Sequence, residues 1–216
     1  MFRGFGWNEF LVLLDGLKWT VAISAVTFAG GGALGLVVLF LRVAPPRALR
    51  WLAVGYIQAI QCTPLLGHLF IVFFGLPLLG FGVSRWFAVT VAMSIYASAF
   101  LAEIWRGAVQ AIPKGQWEAG SAIGLSRFKQ FRLVILPQAL TIAIPPTIGF
   151  MVQIVKNTSL SSIIGFVELS RRAQLVNSTT FEPFIVYGVT AVLYFCLCFP
   201  MTRWSRALER RRAVAR

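Results

Sequence analysis

WTVAISAVTFAGGGALGLVVLFL, residues 19–41, is a run of 23 residues without a charged side chain. Because the hydrocarbon core of a bilayer is about 30 Å thick, a helix that crosses it needs roughly 20 apolar residues. The run therefore predicts a membrane-spanning helix over about residues 14–41. Residues 8–18 contain two acids and a lysine, which is typical of a lead-in at the membrane interface and not of a cleavable signal peptide.

Small residues are concentrated in the middle of this predicted helix. They are Gly30, Gly31, Gly32 and Gly35. Such a cluster lets a neighbouring helix approach closely, and a kink or local flexibility is the alternative interpretation.

Four more uncharged stretches lie further along the chain, at residues 51–84, 86–102, 133–155 and 184–202. The first is too long for one span, so we expect it to end in a Gly/Pro-rich loop and to bend near Thr63-Pro64. With the first span, the predicted spans cover about residues 51–75, 85–106, 132–156 and 184–204. The prediction is an all-α integral membrane protein with five transmembrane helices in a single domain, residues 1–216.

The composition supports a membrane protein and excludes several other classes. Hydrophobic residues make up 58%, charged residues 12%, and the mean hydropathy is +0.78. A soluble domain has about 25% charged residues, so the net charge of +13 does not indicate a nucleic-acid binder. Three cysteines in apolar runs and one histidine argue against a disulfide framework, a thiolate metal site and a zinc enzyme.

The distribution of basic residues predicts the orientation. The loop at 42–50, the segment at 103–132 and the tail from residue 203 contain 14 lysines and arginines, and the opposite side contains 6. By the positive-inside rule the richer side is cytoplasmic. Five spans then place the N-terminus outside and the C-terminus in the cytoplasm.

The segment between the third and fourth spans, residues 107–131, is long for a membrane-protein connection. Pro113, Lys114 and Gly115 form a turn signal. From 116 to 124 the residues Trp117, Ala119, Ala122 and Ile123 recur at helical spacing, and Gly124 is suited to end a helix. Small residues would let another protein cover this helix, whereas a plain surface helix on the membrane is equally compatible with the pattern.

Residues 118–137, EAGSAIGLSRFKQFRLVILP, resemble the EAA motif of the permease subunits of binding-protein-dependent ABC importers. The motif's spacing from Glu118 to Pro137 is matched throughout, with Gly120 in place of its usual alanine and Val134 in place of its usual isoleucine. The resemblance assigns contact with an ATPase subunit to Glu118, Ala119, Gly120, Ala122, Gly124 and Pro137.

The flanking residues are most similar to the polar amino-acid subfamily. The similar segments are residues 63–66, 74–77, 102–107, 112–119, 136–139 and 156–160. Two departures concern the substrate: Gln61-Cys62 stands where the subfamily has Arg-Gly, and His68 stands where it often has glutamine. The resemblance therefore does not identify which amino acid is carried.

This resemblance implies a type I ABC importer permease in the bacterial inner membrane. It implies three protein partners: a cytoplasmic ATPase that carries ATP and Mg, a second permease chain, identical or not, and an extracytoplasmic amino-acid-binding protein. The chain itself lacks a phosphate-binding loop. We therefore expect it to be no enzyme and to hold no cofactor or metal.

Polar residues within the spans are candidates for the substrate path, because a polar group in the bilayer is costly unless it has a role. The candidates are Thr63, Pro64, Glu103, Gln153, Asn157, Thr158 and Ser159. Alternatives stay open for each group. Glu103 and Arg106 could form an ion pair, residues 157–159 could cap a helix, and His68 could be a packing residue.

Two other functions fit a hydrophobic chain of this size. A self-sufficient secondary transporter would need an ion or proton site in its spans, for which only Glu103 qualifies. A non-transporting scaffold subunit would not need the prolines and polar residues that interrupt the spans. Outside the membrane, residues 168–182 could form a short helix that faces the binding protein, or a solvated loop.

Overall fold

The computed structural model describes residues 4–43 and 46–214, and within this part of the chain the regular structure is helical. The helices of the first half are α1 (Trp7–Val43), α2 (Arg47–Gln61), α3 (Leu65–Phe70), a π-helical turn (Ile71–Gly75), α4 (Leu76–Leu78) and α5 (Arg85–Gln110). Those of the second half are α6 (Lys114–Ala122), α7 (Arg127–Gln130), a π-helical turn (Phe131–Ile135), α8 (Leu136–Asn157), a 3₁₀ segment (Thr158–Ile164), α9 (Leu169–Thr180) and α10 (Pro183–Val214).

Four of the described helical runs are long and apolar enough to cross a membrane: α1, α5, the run from Arg127 to Ile164, and α10. A fifth span is present if α2 and the helices after it are counted together. The all-α membrane fold predicted from the sequence is therefore confirmed, with four or five spans.

The bend predicted near Thr63-Pro64 in the second span is confirmed, and it is sharp. The segment begins at Arg47 and is divided after Gln61 into two pieces that lie 100° apart. Pro64 causes the break, because proline has no amide hydrogen and disfavours the helical conformation of the residue before it. The Thr63 hydroxyl donates to the Ala59 carbonyl at 2.8 Å, which satisfies an acceptor at the end of α2.

Residues 8–18, predicted as an interfacial lead-in to the first span, are helical and belong to α1. α1 starts at Trp7, and Glu9 at its start accepts a hydrogen bond from the Gly6 amide at 3.0 Å. Leu13 is fully buried against α9 and α10. The helix thus extends beyond the apolar run to hold α9.

Close contact between α1 and α5 forms the centre of the bundle. A Cβ atom on Gly31 would lie 2.5 Å from the Ala97 Cβ, and one on Gly35 would lie 3.1 Å from the Ser98 carbonyl oxygen. The glycines therefore allow the two backbones to approach, as the close-packing interpretation predicts. The buried core around this contact includes Ile23, Leu69, Met93, Leu101, Phe150 and Ile154.

The fourth predicted span contains three prolines and still forms a nearly continuous helix. A π-helical turn precedes Pro137, which is a common adjustment where a proline interrupts the helical ladder. Further along, α8 runs through Pro145 and Pro146, and the Ser205 hydroxyl donates to the Pro145 carbonyl at 2.9 Å.

Candidate functional site

The short helix α6 is fixed to one end of the bundle. The Trp117 ring packs against the buried cluster of Ile112, Ile135 and Ala139. Gln130, also buried, donates from Nε2 to the Trp117 carbonyl at 3.1 Å and to the Ser121 hydroxyl at 2.7 Å. The sequence did not indicate this role for Gln130, which α7 carries back across α6.

The opposite face of α6 is exposed. It is formed by Glu118, Ala119, Ala122, Ile123 and Gly124, which we call the α6 face. The predicted apolar stripe was wrong in one respect, because Trp117 faces the bundle while the other three apolar residues face outward. With Ile123 at 75% exposure, this face offers an apolar contact surrounded by small residues.

Gly120 has a packing reason to depart from the alanine of the EAA motif. It is the buried residue of α6, and a Cβ atom there would lie 2.7 Å from the Gln130 Cγ. Real Cβ atoms do not approach so closely, so Gln130 can lie across α6 only because residue 120 has no side chain.

The end of α6 follows the glycine signal. Gly124 has φ +75°, the left-handed conformation that glycine adopts readily. The Leu125 amide donates to the Gly120 carbonyl at 3.1 Å, which closes the helix. The helix spans Lys114–Ala122, two residues earlier than the predicted 116–124, and Pro137 lies apart from it, exposed in the first turn of α8.

The break between α2 and α3 brings Thr63, Pro64 and His68 together. The Thr63 hydroxyl lies 3.0 Å from His68 Nε2, and His68 Nδ1 lies 3.1 Å from the Pro64 carbonyl oxygen. Thr63 and Pro64 are exposed, while the His68 ring is half-buried with its centroid 6.2 Å from that of Tyr96. The break thus exposes polar groups between two apolar helices, and the Thr63 and His68 side chains make some of the hydrogen bonds that these groups need.

The four candidates at the end of α8 do not share one orientation. Gln153 is exposed, and Asn157 and Ser159 are half-buried. Thr158 is fully buried and donates to the Val155 carbonyl at 2.8 Å. The Ser159 hydroxyl donates to the Lys156 carbonyl at 2.7 Å. Thr158 therefore serves the 3₁₀ turn that follows α8, as the capping alternative predicts.

Glu103 lies in a different part of the molecule. Arg106 donates from Nε to its two carboxylate oxygens at 2.9 and 3.0 Å, and Arg42 Nε lies 3.7 Å away. Tyr96, which faces His68, is seven residues earlier on α5, or about 10 Å along the helix axis. The structure therefore places Glu103 in the ion pair that was one of its two interpretations, near the α6 end.

Glu168 is a buried carboxylate that the sequence reasoning missed. It has no exposed surface and accepts hydrogen bonds from the amides of Ser170 and Arg171, both at 2.9 Å, which begins α9. The Tyr194 hydroxyl donates to it at 2.9 Å, and the Thr20 hydroxyl lies 3.4 Å away. Burial raises the pKa of this carboxyl, although the two amide hydrogen bonds oppose the rise.

Of the two alternatives for residues 168–182, the helix is present as α9. Its N-terminus is held by Glu168, and Arg172 extends from it to Asp15 on α1, with 2.7 Å between Nη2 and Oδ2. α9 therefore lies at the end of the bundle opposite α6, since it contacts the first turns of α1 and α10.

The family model of the binding-protein-dependent transport system inner membrane component matches residues 31–214. This chain is a member of that family. The match covers α5, α6 and α8 completely. The permease is therefore a multi-pass inner membrane protein of the ABC importers.

Individual relatives agree with this assignment. The probable glutamine ABC transporter permease protein GlnM of Bacillus subtilis is 36% identical over 204 residues, 94% of each chain. The glutamine transport system permease protein GlnP of Escherichia coli is 34% identical over 96% of each chain. The L-cystine transport system permease protein TcyB of Bacillus subtilis is 35% identical over 93% of this chain and 86% of its own.

Solved structures share the fold over nearly the whole chain. A crystal structure of an amino acid ABC transporter with histidines gives a TM-score of 0.90 at 29% identity, covering 94% of this permease and 95% of that chain. An inward-facing MetNI methionine ABC transporter gives 0.73 at 21% identity, covering 94% and 99%. The second similarity shows the fold alone.

Proposed function

We propose that this permease carries a polar amino acid across the inner membrane in an ATP-driven importer. An extracytoplasmic binding protein delivers the substrate, a second permease chain completes the path, and a separate ATPase subunit holds ATP and Mg. Named relatives that handle glutamine and cystine support the substrate class. The C-terminus lies in the cytoplasm and the N-terminus outside, which the count of 14 against 6 basic residues supports.

The observation that carries this proposal is the exposed α6 face. Trp117 and Gln130 hold this helix from behind, whereas Ala119, Ala122 and Ile123 are exposed and none of the described residues covers them. A rigid helix with small side chains suits a close-packed contact, because a partner backbone can approach it and a densely packed contact transmits strain. We assign this face to the ATPase subunit.

The substrate path follows exposed and half-buried polar groups in two parts of the chain. The break at Thr63 and Pro64 and the residues Gln153, Asn157 and Ser159 offer hydrogen-bonding groups to a polar solute. Irregular backbone within a membrane is tolerated where it lines a cavity. Thr158 and Glu103 act on the path through position, Thr158 by closing the turn after α8 and Glu103 by orienting Arg106.

The other end of the bundle meets the binding protein. There the ion pair of Arg172 and Asp15 and the buried Glu168, which contacts Thr20, connect α9 to α1. A displacement of α9 by a bound protein would therefore also displace α1. The carboxylates and arginines at this end give a polar surface suited to a transient contact.

Reconstitution tests the proposal. The permease, purified with its ATPase and placed in proteoliposomes with the binding protein, should take up one or a few members of a panel of labelled polar amino acids only when ATP is present on the ATPase side. The permease alone should show neither ATP hydrolysis nor uptake. Uptake by the permease alone under an ion gradient would identify a secondary transporter. A complex that binds no amino acid and transports none would support the scaffold alternative.

A further inference from the structure

A cavity of about 510 Å³ lies between the end of α1, the start of α2, the end of α5 and α6. Three arginines from three helices line it, Arg42, Arg50 and Arg106, and the described lining contains no acidic residue. The remaining wall is largely apolar and includes Phe40, Val43, Trp117 and Phe131. Of the groups used in the proposed function, this cavity includes only Arg106, which Glu103 orients, and Trp117, which packs behind α6.

Arg42 and Arg106 are held in place by a small polar network. Arg106 donates to both oxygens of Glu103 and from Nη1 to the Gln110 side chain. Arg42 shares the same carboxylate at 3.7 Å, longer than a hydrogen bond. Two guanidinium groups, those of Arg42 and Arg106, share one carboxylate and so leave a net positive charge, and a planar guanidinium matches a phosphate group well.

The apolar wall continues onto an exposed apolar strip of α1. Phe40 and Val43 are 68% and 59% exposed, and Val37, one turn earlier on α1, is 55% exposed. The cavity therefore joins a cationic interior to a hydrophobic strip along a membrane-spanning helix. A free anion would fill only the cationic part, whereas an amphipathic anion would cover both.

We propose that this cavity binds an anionic phospholipid, with its phosphate between Arg42 and Arg50 and an acyl chain along Phe40 and Val37. Basic pockets between transmembrane helices are known to suit such headgroups. The arginines sit at the depth of the headgroups because they lie in the last turn of α1 and the first turn of α2. Through Trp117 the lipid contacts the back of α6, so its presence supports the position of the α6 face; this consequence alone rests on the proposed function.

Lipid binding can be measured on the full chain without any partner. Native mass spectrometry of the detergent-purified permease, titrated with phosphatidylglycerol, gives the apparent affinity. Arg42→Gln with Arg50→Gln should weaken binding about 30-fold, since each surface charge contributes to the attraction of an anionic lipid. Arg42→Lys with Arg50→Lys keeps both charges and should retain most of the binding. That result would show that the glutamine pair weakens binding through lost charge and not through misfolding.

The matched control removes two charges elsewhere at the same end. Arg127→Gln with Lys129→Gln lies on exposed α7, outside the cavity, and should leave the affinity unchanged. Phosphatidylcholine should not bind at this site, and millimolar inorganic phosphate should not displace phosphatidylglycerol. Equal loss in both glutamine pairs would overturn the proposal in favour of nonspecific charge attraction, and full displacement by phosphate would show a site for a free anion.

A second measurement concerns the complex. Substrate-stimulated ATP hydrolysis in nanodiscs should be higher with phosphatidylglycerol than with phosphatidylcholine, and the Arg42→Gln, Arg50→Gln complex should lose this difference. If the lipid binds but the hydrolysis does not respond, the site stands and its link to coupling is wrong. If the permease forms no complex with an ATPase, the proposed function fails while the binding result remains.

Discussion

Replacing Gly120 with alanine tests how α6 is held, because the sign of the effect depends on one neighbour. Alanine favours a helix over glycine by about 1 kcal/mol. In this chain, however, the new Cβ would lie 2.7 Å from the Gln130 Cγ and 3.1 Å from its Nε2. Gln130 must move, and it then loses its hydrogen bonds to the Trp117 carbonyl and the Ser121 hydroxyl, each worth about 1 kcal/mol.

The net expectation for Gly120→Ala is a loss of roughly 1–3 kcal/mol once overpacking is included. The same change made on the Gln130→Ala background should stabilise by about 1 kcal/mol, since the contacted atoms are gone and the helix preference remains. Thermal unfolding of the four purified proteins in detergent measures this cycle, and each kcal/mol corresponds to about 2–4 °C at this chain length. An equal shift in Tm on both backgrounds would refute the packing argument.

Three further predictions concern other parts of the permease. Glu168→Gln should flatten the pH dependence of stability. The pKa of Glu168 in the folded protein is raised above its ordinary value of 4.5, so the wild type loses stability as pH rises from 4.5 to the folded pKa, by up to about 1.4 kcal/mol per pH unit. Melting curves of both proteins at a series of pH values from 4.5 upward check this. Ala122→Arg, on an exposed helix position, should leave membrane insertion normal and weaken ATPase association at least about 100-fold in a pull-down, whereas Arg127→Gln nearby should not. A reporter fused after Arg216, which lies outside the described residues, should be active only in the cytoplasm, and a periplasmic signal would contradict the orientation.

Much of the fold was predictable because span length is a local property. The four long spans follow from uncharged runs, since a helix that leaves water must satisfy its own backbone. The 100° break at Thr63 was not predictable in size, although Pro64 marks its place. Proline determines that a helix is interrupted, whereas the angle depends on how α3 packs against α5, which is set by distant residues.

In the candidate site too, features set by local sequence were predictable and features set by distant contacts were not. Gly124 was recognised as the end of α6 because a left-handed glycine has a local signature. The direction of Trp117 was not, because the sequence gives the spacing of an apolar stripe and not which side the bundle occupies. Glu168 was missed for a related reason. Its hydrogen-bonding partners Thr20 and Tyr194 lie 148 and 26 residues away, and its own surroundings in sequence are typical of a surface loop.

Photo-crosslinking from the α6 face tests the central claim most directly. A photoreactive amino acid placed at Ala122, in the assembled complex, should form an adduct with the ATPase subunit that mass spectrometry identifies. Placed at Leu78, it should form none, because Leu78 is 87% exposed and precedes the start of α5, whereas α6 follows the end of that helix, which is about 39 Å long. An ATPase adduct from Leu78, or an intact complex with no adduct from Ala122, would contradict the assignment of α6 as the helix through which ATP hydrolysis drives transport.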